Sequence, residues 1–187
     1  MCSNVNNMYF LCLLFVTASL SAQIPGSFKY IASQKDSCVQ VSMDMIEVNN
    51  QYYLLTDMVT SYYYLERIPT ITVFDESLNK IKEIRLFEDR VKIMPIKLFY
   101  KDNFFYLTGL SSSNGHGKPF LMKFDENFNI VQPLTAYALD DSSGYIWCHV
   151  IMNKDNDFIY LLCARDFSHN RLLHIGNDGV LRQDVSS

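Results

Sequence analysis

An all-β fold built from three copies of one four-stranded antiparallel unit is what this sequence predicts, on three observations. Tyr, Phe, Ile, Val and Thr are concentrated in short runs separated by Asn, Asp, Lys and Ser, the vocabulary of strands and their turns. No window beyond the first 22 residues sustains the i, i+3, i+4, i+7 apolar spacing of an amphipathic helix over three turns. One order of runs and turns also returns every 50 to 54 residues.

The chain opens on an apolar run, Tyr9 to Leu20, that is too short to span a bilayer as a helix, which takes about 20 apolar residues. The run ends on small residues at Ser21-Ala22-Gln23. It reads as a cleavable secretory signal over residues 1–22, with the mature protein beginning at or near Gln23. No Lys or Arg precedes the run and Leu20 stands three residues before the cut, so an uncleaved interfacial anchor is the alternative. Cys12 lacks the small residues ahead of it that a lipoprotein cut requires. The expected destination is periplasmic, outer-surface or secreted, with no membrane span after cleavage. Residues 23–187 are read as one domain, with repeats at approximately 42–92, 93–144 and 145–187.

Each repeat begins with a hairpin. Val48-Asn49-Asn50-Gln51-Tyr52-Tyr53-Leu54-Leu55-Thr56 returns as Tyr100-Lys101-Asp102-Asn103-Phe104-Phe105-Tyr106-Leu107-Thr108, and again over Asn153 to Leu162. Asn and Asp tolerate left-handed backbone and bond their own main chain, so Asn-Asn and Lys-Asp-Asn are turns. A second hairpin follows each first one. Ile71 to Ile81, centred on Phe74-Asp75-Glu76, matches Phe120 to Ile130, centred on Phe124-Asp125-Glu126. The third copy, Leu172 to Leu181, reads as one residue shorter with an Asp-Gly turn. Four strands per unit, joined as a meander, follow.

Over Ser42 to Ser187 this pattern resembles β-propeller blades, and its strand-Phe-Asp-Glu-x-x-Asn-strand hairpin looks like the repeats of exported bacterial propellers of the six-bladed and NHL-like groups. The resemblance is one of repeats: Kelch double glycines, Trp-Asp endings and the sialidase Asp box are missing. Propellers close with typically 4 to 8 blades, so three units imply a partial propeller. Such an arc would expose two apolar blade faces. It is read as a truncated piece of a longer propeller in preference to two copies completing a six-bladed ring, with a bent sandwich as the third arrangement.

Composition narrows the partners. The formal charge is −4, with 16 basic and 20 acidic residues interspersed, so there is no positive field for a nucleic acid. Cys2 and Cys12 leave with the signal, and Cys38, Cys148 and Cys163 are too few for a disulfide scaffold. Cys148 and Cys163 read as buried free thiols, with a cross-strand disulfide as the alternative. The nearby Cys148, His149, Cys163, His169 and His174 lack the close pairs of a zinc site, and Asp155-Asn156-Asp157 lacks the glycine and distal glutamate of a calcium loop. Trp147 and His149 share a face of the innermost strand, where a propeller lines its channel. No metal or cofactor is expected.

The resemblance implies that ligands bind where the second-to-third and fourth-to-first connections gather. The former are read at Asp57 to Thr70, Gly109 to Pro119 and Ala164 to Arg171, the latter at Glu88 to Val91 and Asp140 to Gly144. Tyr62 and Tyr64, sharing one face if extended, and Arg67 are candidate contacts for a sugar or peptide, against the alternative of strand packing. His116 and Lys118 belong to Ser111-Ser112-Ser113-Asn114-Gly115-His116-Gly117-Lys118, read as a flexible hairpin loop because Pro119 and a strand, not a helix, follow it. Arg165 and His169 complete the set. Ser113 and His116 have no orienting acid or nucleophile elbow, and the pairs Asp75-Glu76 and Asp125-Glu126 read as turn formers at equivalent sites; Asp140-Asp141 is a third pair. The expected function is a non-catalytic binding module for a glycan, a peptide or an envelope protein. The alternative is a fragment of a propeller enzyme whose catalytic residues lie elsewhere. N-terminal sequencing of the exported protein is expected to return Gln23 first; retention of Met1 identifies the apolar run as an anchor instead.

Overall fold

The computed structural model describes residues 39–59, 67–87, 92–113, 116–139, 145–164 and 169–186. All their regular structure is β. Unit 1 comprises β1 (Val39–Val48), β2 (Gln51–Val59), β3 (Arg67–Phe74) and β4 (Lys80–Arg85). Unit 2 comprises β5 (Ile93–Lys101), β6 (Phe104–Ser113), β7 (His116–Phe124) and β8 (Ile130–Ala136). Unit 3 comprises β9 (Tyr145–Met152), β10 (Phe158–Ala164), β11 (Asn170–Ile175) and β12 (Leu181–Ser186). Each is a four-stranded antiparallel meander in chain order. Units 2 and 3 are joined by one bridge, Gly117 opposite Tyr145, and the first strands neighbour one another, β1 beside β5 and β5 beside β9.

The repeat extends to its irregularities. One residue of each first strand is squeezed out of register: Met43 between the pairs Ser42–Thr56 and Asp44–Leu55, Ile96 between Pro95–Gly109 and Lys97–Thr108, and Ile146 between Tyr145–Ala164 and Trp147–Cys163. A β-bulge at a fixed place bends every first strand alike. Gly109 is required at the second of these, because a Cβ there would lie 2.1 Å from the Met94 carbonyl oxygen.

The turns follow the side-chain chemistry read from the sequence. Asn49 and Asn50, and Asp102 and Asn103, all have positive φ, as a two-residue hairpin loop needs. In the outer hairpins Asp75 Oδ1 accepts the Asn79 N–H at 2.7 Å and Asp125 Oδ1 accepts that of Asn129 at 2.8 Å. These acids are turn clamps. The third outer turn is not shorter: Phe74 pairs with Lys80, Phe124 with Ile130 and Ile175 with Leu181. All three turns place one residue in left-handed backbone, Leu78, Phe128 and Gly179. Gly176 stands where the other two have Asp, which makes the turn compositions look unequal.

Two cores lie between the units. From unit 1, Tyr53, Leu55, Ile71 and Val73 meet Leu98, Phe105, Leu107, Phe120, Met122 and Phe124 of unit 2. The opposite face of unit 2, with Tyr106, Leu110 and Leu121, meets Val150, Phe158, Tyr160, Leu162, Leu173 and Ile175 of unit 3. Unit 2 is therefore covered on both faces, which explains the unbroken burial of Phe105 to Leu110. Polar ties cross the same seams. Asp44 accepts the Leu98 N–H at 3.0 Å and the Lys97 ammonium at 3.2 Å, and the buried Tyr160 hydroxyl donates to the Phe120 carbonyl at 2.7 Å.

Left-handed backbone costs a branched or bulky residue about 1–2 kcal/mol. At Phe128 packing offsets this, because its ring stacks on Phe105 at 4.4 Å; Leu78 is an exposed hydrophobe. Leu78→Asn is expected to stabilise the protein by about 0.5–1 kcal/mol and Phe128→Asn to destabilise it by about 1–3 kcal/mol. Urea unfolding of the two variants reads the opposite signs.

Candidate functional site

The second and third strands of each unit join at one end, and the candidate contacts stand there. β3 starts at Arg67, opposite Val59, and β7 starts at His116, opposite Ser113. Lys118 is not in a loop: it pairs with Ser111 inside the β6–β7 ladder, and the Ser111 hydroxyl donates to its carbonyl at 3.3 Å. The flexible loop expected over Gly109 to Pro119 is mostly strand, since β6 runs to Ser113 and β7 resumes at His116. Strand likewise fills much of Asp57 to Thr70. Tyr62, Tyr64 and Arg165 lie outside the described residues, as do Cys38 and the acids Asp140 and Asp141.

His169 immediately precedes β11; its carbonyl accepts the Ala164 N–H at 3.2 Å and its ring meets Tyr145 edge-on, centroids 6.2 Å apart. Tyr145 in turn sits against Gly117, where a Cβ would come within 2.4 Å of the Tyr145 carbonyl oxygen. Gly117 thus serves the contact between units 2 and 3. This joins the starts of β7 and β9 and sets Lys118 and His169 on neighbouring units, without a described contact between their side chains. Asp57, buried and opposite Pro69, lies at the same end. Its charge-bearing type was visible in the sequence; its burial was not.

The alternatives held open for the cysteines resolve by register. Cys148 is opposite Leu162 and Cys163 opposite Trp147, adjacent rungs of one ladder, so the two thiols belong to opposite faces and both are free. Burial pushes the Cys148 thiol up to about 12, which leaves it protonated and unreactive. Cys163 is only half-buried. His149 is exposed on the face opposite Cys148. Among the described residues no three His, Cys, Asp or Glu side chains are grouped as a metal would need.

At the opposite end, the turn that carries Asp155-Asn156-Asp157 is closed by protein groups. Asn153 Oδ1 accepts the N–H groups of Asp155 and Asp157, each at 2.9 Å. Asp157 accepts His174 Nε2–H at 2.8 Å and the Asn177 N–H at 3.1 Å. Sequence reading missed this pair because Asp157 and His174 belong to different hairpins. It also missed Lys123, whose ammonium lies 3.9 Å from the centre of the Phe104 ring and 5.2 Å from that of Tyr106. Asp44 and Lys97 were findable: both immediately follow the bulge, one repeat apart.

Burial works to raise the Asp157 carboxyl, but the hydrogen bonds from His174 and Asn177 and the nearby positive charges outweigh it and hold the group below the ordinary range. The Asn129 side chain, with backbone N–H groups, does the same for Asp125. A carboxyl depressed in the folded state contributes stability above its unfolded pKa and loses it as pH falls through the folded value. Melting temperature is therefore expected to fall from about pH 5 downward, and less steeply in the Asp157→Asn, Asp125→Asn double variant.

No family model matches the chain, and no curated protein matches it in sequence. Among solved structures it is similar to the subtype N10 neuraminidase-like protein of A/little yellow-shouldered bat/Guatemala/060/2010, with 12% identity, a TM-score of 0.52, and coverage of 79% of this chain and 52% of that one. The chain thus spans about half the length of that protein. The D477G ACO/RPE65 chimera overlaps more loosely, with 10% identity, a TM-score of 0.47, and coverage of 78% and 35%. With three meander units and a six-bladed neighbour, the fold is a partial β-propeller.

Proposed function

We propose that this chain is an exported, non-catalytic binding module that meets a glycan, a peptide or an envelope protein with the end of the units where second and third strands join. One observation carries the reading: Arg67, His116, Lys118 and His169 all stand at that end, on three sheets tied together by two continuous cores. Binding groups mounted at the ends of rigid strands hold their geometry better than groups on free loops. The negative formal charge, −4, argues against a nucleic acid as the partner. Export rests on the apolar run and the Ser21-Ala22-Gln23 junction.

A second reading is supported by the length relation. The chain covers 52% of the neuraminidase-like chain it resembles, as a piece of a propeller enzyme, such as a glycan-active hydrolase or lyase, would if its catalytic residues lay in other blades.

Screening residues 23–187 against glycan and peptide arrays separates the two. A binder is expected to lose affinity roughly tenfold or more in Lys118→Ala or His169→Ala, with Lys82→Ala on the outer strand β4 unchanged. A folded protein that retains no glycan or peptide overturns the module reading and leaves the fragment.

A further inference from the structure

We draw no further inference here: the strongest candidate, the aliphatic surface patch of Ile130 and Val131 at the start of the outer strand β8, half-exposed although unit 2 is flanked on both faces, carries nothing because nothing in the structure shows what covers it.

Discussion

Unit 2 is a sheet that must be covered twice, and the arrangement of the other two units follows from that requirement. Phe105, Leu107, Phe120, Met122 and Phe124 project to one side and Tyr106, Leu110 and Leu121 to the other. Neither set can be left in water, because each large side chain is worth about 1.5–3 kcal/mol when buried. A single flanking sheet satisfies half of this demand. The meanders before and after it satisfy the whole, and the Asp44 and Tyr160 hydrogen bonds then fix how each flank is seated.

Two kinds of irregularity recur in step with the repeat. The bulges bend the first strands where β1, β5 and β9 come side by side, and the left-handed residue of each outer turn sharpens the return to the fourth strand. Leu78, Phe128 and Gly179 meet the same backbone demand with three side chains. The backbone path, more than the residue type, is what the repeat conserves from unit to unit. Polar groups at the turn end, including Asp75, Asp125 and Asp157, are engaged in holding that path. Lys118 and His169 lie at the opposite end, where the second and third strands of each unit join. Similarity to about half of a six-bladed chain fits three stacked meander units.

Much of the fold was legible in the residues. Strand-forming runs, Asn-rich turns and the 50-residue spacing of Phe74 and Phe124 determine all-β meanders by local chemistry, since backbone preference and turn geometry act over a few residues. The candidate site was legible as a position along the chain and less so as a structure. Lys118 looked like loop because glycines precede it, yet Gly117 is there for close approach to Tyr145, a neighbour 28 positions away. Nor could the sequence tell which face of an apolar strand is covered. Phe158 to Ala164 is apolar throughout, and only packing against unit 2 selects Phe158, Tyr160, Leu162 and Ala164 for the core. Alternation assigns residues to two sides, but the side that is buried depends on which sheet lies next to it, and that is decided by contacts between distant parts of the chain.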